Sequence, residues 1–127
     1  MNTNSSGPGY AKNPDHKVSL HPTVVRVQVT LNGEVIADSS AALELREASY
    51  PPVYYLPRAD VRMDRLLRSN HHTYCAFKGT ASYFSLEGGV RDAVWSYEQP
   101  YDEVAAIREL LAFCPNKVDA ITVTALA

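Results

Sequence analysis

The chain has 127 residues, which is enough for one domain with its own hydrophobic core and too few for two ordinary ones. Its net charge of -2 disfavours a dedicated nucleic-acid-binding protein, because such proteins usually carry a basic face. No apolar run approaches membrane-spanning length, and the N-terminus lacks the basic start and hydrophobic middle of a signal peptide. We therefore expect a cytoplasmic protein without a membrane partner, in which Cys75 and Cys114 are free thiols.

The first seventeen residues differ in composition from the rest of the chain. They are rich in Asn, Ser, Gly and Pro and contain almost no apolar side chains. Such a segment cannot bury enough surface to offset the entropy that ordering costs. The composition predicts a flexible tail over residues 1–17 and a single β-rich domain over residues 18–127.

Alternating apolar and polar residues predict the first hairpin. Residues 24–31 alternate strictly, which is typical of a half-buried strand. Asn32-Gly33 is the strongest two-residue turn signal in the chain, so residues 34–38 should return as the partner strand. Further strands are expected at residues 42–47 and 53–56, separated by a pair of prolines that cannot continue a central strand.

The apolar period changes in the middle of the chain. Apolar residues at helical spacing predict a short helix or helical turn within residues 57–68. Residues 73–85 are rich in aromatic side chains and predict two strands joined at Lys78-Gly79. The thiol of Cys75 and the amine of Lys78 then lie close to the same bend of the backbone.

The C-terminal third predicts two more strands and a second helix. A strand is expected at residues 90–97, and Asp102 is a plausible cap for a helix of about ten residues. A last strand is expected at residues 118–124. The whole pattern predicts a mainly β protein, with a single antiparallel sheet curled like a barrel or tent and one or two short helices.

Several motifs, taken in order and spacing, resemble a known family. They are Tyr54-Tyr55-Leu-Pro57, Asp60-Val-Arg-Met-Asp64, the stretch Thr73 to Ser85, Ala93-Val-Trp95-Ser-Tyr97, Pro100 and Ala112-Phe113. From about Val24 to Val123 they resemble the family catalogued as domain of unknown function 427, also labelled nucleotidyltransferase-like. The resemblance implies a compact, mostly β fold with a tent-like or barrel-like sheet, and it implies no established activity. The chain departs from the family at Ala76, where proline is usual, and it carries no nucleotidyl-transfer or phosphate-cradling motif.

Cys75 has three interpretations in sequence. It is a buried small hydrophobe, since free cysteine is among the most buried residue types. It is alternatively a nucleophile activated by Lys78, an arginine or a histidine. It is otherwise a zinc ligand with Cys114 and a histidine, but two cysteines at irregular spacing do not make a paired zinc site. We therefore expect no metal and no other cofactor.

Three charged residues fall near predicted strand ends. Lys78 and Arg46 would together form a cationic floor that favours a carboxylate or phosphate. Glu47 would balance that charge, act as a general base, or serve in a simple salt bridge.

The aromatic residues complete the predicted site. Interrupted strand ends are expected to meet at one mouth of the sheet, where apolar walls and a few polar groups form a ligand pocket. Its predicted lining is Arg46, Glu47, Tyr55, Cys75, Lys78, Tyr83 and Trp95. The function expected is binding of a small anionic or ring-containing molecule. The alternative is a cofactor-free enzyme that uses Cys75 or Glu47, assisted by Lys78, in nucleophilic or acid-base chemistry. The sequence does not predict the oligomeric state.

Overall fold

A computed structural model describes residues 5–88 and 90–126, and ten strands account for most of its regular structure. The strands are β1 (Val18–Pro22), β2 (Val25–Leu31), β3 (Glu34–Ser39), β4 (Leu43–Glu47), β5 (Val53–Tyr55), β6 (Leu66–Cys75), β7 (Gly79–Leu86), β8 (Val90–Tyr97), β9 (Ala112–Phe113) and β10 (Ala120–Ala125). One short α-helix, α1 (Pro8–Lys12), precedes them. No helix among the described residues is long and apolar enough to cross a membrane.

The strands form three antiparallel sheets. Sheet A has the order β1-β4-β5, sheet B the order β10-β2-β3, and sheet C the order β6-β7-β8-β9. The mainly β, antiparallel prediction is confirmed, but the single curled sheet is not, and no sheet of the described residues closes into a barrel. Single bridges, Ala37 to Val61 and Leu56 to Leu111, are the contacts by which irregular segments join one sheet to its neighbour.

The hairpin of β2 and β3 has the predicted turn. Leu31 pairs with Glu34, so Asn32 and Gly33 form a two-residue connection. Their φ angles of 53° and 78° are both positive, as a type I′ turn requires. Asparagine and glycine tolerate this conformation better than other residues do, which explains why this local signal was reliable.

The short helix or helical turn predicted within residues 57–68 takes the form of two 3-10 turns followed by a strand. The turns are Arg58–Asp60 and Met63–Arg65, and β6 begins immediately afterwards. Leu66 pairs with Leu86 of β7 and is 9% exposed, so its pairing in sheet C decides its conformation. Apolar spacing alone could not distinguish this arrangement from a helix.

The second predicted helix is shorter than expected. Residues Asp102–Ile107 form a 3-10 segment that is broken at Val104, where φ is -126°. Val104 and Ile107 are nevertheless completely buried, as the predicted apolar stripe requires. The segment therefore contributes two core side chains without forming a regular α-helix.

Sheet C separates two hydrophobic clusters. The first cluster includes Val27, Val29 and Ile36 of sheet B, packed with Phe84 and other residues of sheet C. The second cluster lies between sheets A and C and consists of Leu45, Tyr55, Ala81, Tyr97, Val104, Ile107 and Ala112. Burying one large apolar side chain contributes roughly 1.5–3 kcal/mol, so each cluster holds its sheets in place. The second cluster carries most of the candidate functional residues.

The N-terminal segment differs from the flexible tail that its composition predicts. In residues 5–17 the structure shows helix α1, and Gly9 of that helix is buried. The backbone nitrogen of Gly9 donates to the carbonyl oxygen of Ala76 at 3.0 Å. Residues 1–4 of the predicted tail lie outside the described residues.

Candidate functional site

Glu47 and Lys78 form an ion pair at the edge of the second cluster. Glu47 is the last residue of β4, and Lys78 lies in the turn between β6 and β7. Lys78 Nζ is 2.5 Å from Glu47 Oε1, and the two side chains are 11% and 17% exposed. Gly79, with a φ of 111°, follows the turn in a conformation that a side chain would strain. The sequence predicted that these two residues would approach each other, and the structure places them in contact.

His16 occupies the second oxygen of the same carboxylate. Its Nε2 lies 2.8 Å from Glu47 Oε2. Burial alone would raise the pKa of Glu47, but hydrogen bonds from Lys78 and His16 outweigh burial and lower it. Glu47 is therefore ionised at neutral pH, and it balances the charge of Lys78. Sequence reasoning missed His16, because it lies in a segment with no apolar pattern to indicate that it would pack.

Tyr55 and Trp95 form the aromatic wall of the site. Tyr55 is 1% exposed, and Trp95 Nε1 donates to its hydroxyl oxygen at 3.1 Å. The two rings meet edge to face, with centroids 6.4 Å apart. Burial raises the pKa of Tyr55, so its phenol stays protonated. Tyr83 pairs with Trp95 across sheet C, and its hydroxyl is 3.0 Å from Thr73 Oγ1.

Cys75 and Tyr97 bring further polar atoms to the second cluster. Cys75 is half-buried against this cluster, and its thiol has no hydrogen-bond partner among the described residues. Tyr97 is 6% exposed, and its pKa is raised by burial first and then by the nearby negative charges of Tyr55, Cys75, Tyr83 and Glu47 in their ionised forms. Strand alternation places Tyr97 on the face of Trp95, a signal that could have added it to the predicted lining.

The hydroxyl of Tyr97 is the polar end of a side chain that is 6% exposed. It makes no hydrogen bond to any residue within 5–88 or 90–126. Every nitrogen and oxygen atom of the described side chains that is sealed from solvent has a partner. A donor without an acceptor among the described residues can be satisfied by a water molecule or by a ligand atom.

Arg46 does not join Lys78. Its Nε lies 2.8 Å from Glu44 Oε1, and its side chain is 60% exposed. Residues 44 and 46 share one face of β4, whereas Leu45 and Glu47 share the other. The predicted cationic floor of Arg46 and Lys78 is consequently not formed, and the alternation of β4 is the physical reason.

Two cavities of the described residues are bordered in part by sheet C, and neither is lined mainly by the second cluster. An apolar cleft of about 250 Å³ is bordered by Trp95, Tyr54 and Phe113 together with residues of sheet B. A polar groove of about 370 Å³ is bordered by Glu98, Ser82 and Tyr101. Of the seven residues predicted to line one pocket, Trp95 borders the cleft and none borders the groove.

No group of three or more His, Cys, Asp or Glu residues in the described part of the chain is arranged to hold a metal ion. Cys114 donates its thiol hydrogen to Asn116 Oδ1 at 2.8 Å and takes no part in the cluster around Cys75. The expectation that the protein binds no zinc remains a prediction for metal analysis.

Fold and site together define a small, mostly antiparallel β protein that combines a half-buried Glu-Lys pair with a cluster of tyrosines, a tryptophan and a cysteine. The profile of the family described as "Domain of unknown function (DUF427)" matches residues 19–124, and the chain belongs to that family. No curated protein has a significant sequence match to the chain.

Proposed function

We propose that the protein binds a small ring-containing molecule with one anionic or hydrogen-bond-accepting group, between Tyr55, Cys75, Lys78, Tyr83 and Trp95. The observation that carries the proposal is that neither the Tyr97 hydroxyl nor the Cys75 thiol has a hydrogen-bond partner among the described residues. Buried polar groups are normally satisfied, so donors without an acceptor mark a place where a ligand or water supplies one.

The surroundings favour an aromatic ring as the body of the ligand. Tyr83 and Trp95 are half-buried at the second cluster and offer apolar ring surface, and the buried Tyr55 supports Trp95 from behind. Aromatic rings gain about 0.5–1.5 kcal/mol from such contacts beyond burial of their area. An apolar body with one acceptor matches this combination of walls and donors.

The charges favour at most one anionic group. Lys78 is paired with Glu47, and Arg46 is turned away on the opposite face of β4. A ligand with several negative charges would meet no uncompensated cation among these residues. A single carboxylate can share Lys78 with Glu47, whereas an uncharged carbonyl or hydroxyl can use Tyr97 alone.

Trp95 gives a direct test, because it is the chain's single tryptophan. We expect p-hydroxybenzoate and phenol to change Trp95 fluorescence saturably, with dissociation constants in the millimolar range that suits fragments of this size. Acetate, which has the charge without the ring, should have no saturable effect. Absence of saturation with both ring probes would overturn the proposal.

A matched pair of tyrosine variants locates the binding. Tyr97→Phe removes the unpartnered hydroxyl and keeps the ring, and it should weaken p-hydroxybenzoate by about tenfold, which corresponds to one hydrogen bond of about 1.4 kcal/mol. Tyr74→Phe removes an exposed hydroxyl that pairs with Tyr101 outside the second cluster, and the affinity should stay within about twofold. Equal effects of both changes would place the binding elsewhere.

The alternative function is a cofactor-free enzyme, and the geometry around Cys75 favours it less. A nucleophilic thiol needs a base within hydrogen-bond reach, and Cys75 has none among the described residues. Glu47, with a lowered pKa and with both oxygens engaged, is a weak general base. Fast alkylation of Cys75 relative to Cys114 at neutral pH in the unmodified protein would favour the enzyme instead.

A further inference from the structure

We propose that residues 7–16 form a removable cover over the proposed ligand site. When the cover is closed, its residue His16 becomes part of that site. The inference rests on the proposed function, since it concerns access to the same site. The family match begins at residue 19, so the cover is formed by residues that precede the matched part of the chain.

The cover is attached to the turn that carries Lys78. Gly9 donates its backbone N–H to Ala76 O at 3.0 Å, and the Tyr10 hydroxyl donates to Phe77 O at 2.9 Å. The ring of Tyr10 meets Phe77 edge to face at 5.0 Å, and the imidazole of His16 stacks on the same ring at 4.3 Å. The turn between β6 and β7 is therefore held by backbone, hydroxyl and ring contacts from one short segment.

Two glycines make this close approach possible. A Cβ atom at Gly9 would lie 2.8 Å from the Phe77 ring, and one at Gly7 would lie 2.7 Å from Ala76 O. Both distances are too short for a side-chain carbon, so only glycine allows the segment to seat here. The glycines that made this segment look disordered in sequence are the residues that let it pack.

The cover reaches the proposed site through two side chains. His16 contacts Glu47 Oε2 at 2.8 Å, opposite the oxygen that binds Lys78. Burial raises the pKa of Tyr10 to about 12, and the charges of Glu103, Cys75 and Glu47 add to this effect. Tyr10 itself is hydrogen-bonded to Phe77 O, two residues after Cys75, so the cover lies against the backbone that follows this thiol.

The segment has little that would hold it closed permanently. Helix α1 has five residues, which is too short to be stable without its contacts, and residues 11–15 are exposed. Its other anchor is Glu103, which accepts hydrogen bonds from Ser6 Oγ and from the backbone of Gly7. Segments with few buried contacts open at low free-energy cost while the rest of a protein stays folded.

A steric variant tests the cover without changing a site residue. Gly9→Val places a side chain against Phe77, whereas Ala11→Val makes a comparable change on the exposed side of the same helix. The full-length proteins are alkylated with iodoacetamide near neutral pH, and the rates at Cys75 and Cys114 are measured by peptide mass spectrometry. We expect Gly9→Val to accelerate alkylation of Cys75 at least tenfold, with Cys114 and the Ala11→Val protein unchanged.

Equal Cys75 rates in Gly9→Val and Ala11→Val would overturn the cover. If Gly9→Val does not fold, His16→Ala replaces it, because this change removes the stacking on Phe77 and the contact with Glu47. An unchanged Cys75 rate in a folded His16→Ala protein would equally overturn the inference.

Failure of the cover and failure of the proposed function give different results. Alkylation needs no ligand, so it reports the cover even if p-hydroxybenzoate does not bind. If the cover controls a ligand site, Gly9→Val should also tighten p-hydroxybenzoate, because the closed state no longer competes with the probe. If p-hydroxybenzoate binds equally well to all variants and the Cys75 alkylation rates are unchanged, the inference of a cover is wrong and the proposed function still holds.

Discussion

Glu47 and Lys78 are the least exposed ion pair among the described residues, and this burial decides what each contributes. Removing one partner leaves the other charge partly desolvated, which costs more than the pair itself provides. The lysine is therefore a structural residue as well as a candidate ligand contact.

We predict that Lys78→Met lowers the free energy of unfolding by about 2 kcal/mol, because the Glu47 carboxylate then keeps only His16 as a partner. The double variant Lys78→Met/Glu47→Gln should recover at least half of that loss, since an amide costs less to bury than a carboxylate. Urea denaturation of the wild type, both single variants and the double variant measures the coupling. Additive losses would show that the pair is not coupled.

Glu98 borders the polar groove, and the pKa of its carboxyl group is strongly lowered. Hydrogen bonds from Arg68 and also from Arg58 and Ser82 outweigh its burial and lower its pKa to about 2. In the unfolded chain this pKa is near 4.5. The stabilisation is thus complete above pH 4.5 and disappears as the pH falls toward 2.

We predict that Glu98→Gln lowers the melting temperature at pH 7, and that its difference from the wild type closes between about pH 4.5 and pH 2. Thermal unfolding followed by circular dichroism across this range measures the difference. Glu87→Gln is the matched control, because that side chain is 55% exposed and pairs with the exposed Arg65. A difference for Glu98→Gln that does not vary with pH would contradict the assignment.

At the scale of elements, the β2–β3 turn is the feature most strictly specified by its own residues. Gly33 has a φ of 78°, and a Cβ atom there would meet no neighbour within 4 Å. Any cost of a side chain at this position is therefore conformational and not steric.

We predict that Gly33→Ala lowers the free energy of unfolding by about 1 kcal/mol. The reason is that the left-handed backbone conformation is strained for alanine and unstrained for glycine. Asn32→Gly is the control, since glycine adopts the φ of 53° at position 32 without strain, and it should change stability by only a few tenths of a kcal/mol. Denaturant unfolding of both variants gives the comparison. A Gly33→Ala protein as stable as the wild type would show that the turn relaxes.

The two predicted helical segments are shorter than expected, and both consist of 3-10 turns, for reasons that lie outside the elements themselves. Leu66 is recruited by Leu86 into sheet C, and Val104 breaks its segment while it stays fully buried. Leu66, Val104 and Ile107 are buried. Leu67, another apolar residue of the first segment, is instead 56% exposed because β6 turns it to the opposite face from Leu66. The choice between strand and 3-10 turn was made by the partners across the core.

At the scale of the whole molecule, sheet C contributes residues to both hydrophobic clusters. If the second cluster came apart, sheet C would lose one of the two sets of hydrophobic contacts that hold it in place. The two clusters are therefore expected to unfold together as one cooperative unit.

We predict one unfolding transition, with the same midpoint for Trp95 fluorescence and for far-ultraviolet circular dichroism. The first signal reports the second cluster, where Trp95 packs, and the second reports all three sheets. Guanidinium titration monitored by both probes is the measurement. Separate midpoints would show that the clusters unfold independently.

The sequence by itself determined the features that depend on neighbours along the chain. Alternation defined β2, Asn32-Gly33 defined its turn, and the proximity of Cys75 to Lys78 followed from one hairpin. The motif spacing also identified the family, which the match over residues 19–124 confirms.

Only the tertiary structure decided which distant residues meet. It turned Arg46 away from Lys78, and it brought His16 and Tyr10 from an apparently featureless segment onto Phe77. These contacts depend on complementary shapes from separate parts of the chain, such as a glycine with no side chain opposite an aromatic ring. A local pattern records the conformation and burial of each residue, but the choice of partner is made by packing across the core, where neighbours in space are not neighbours in sequence.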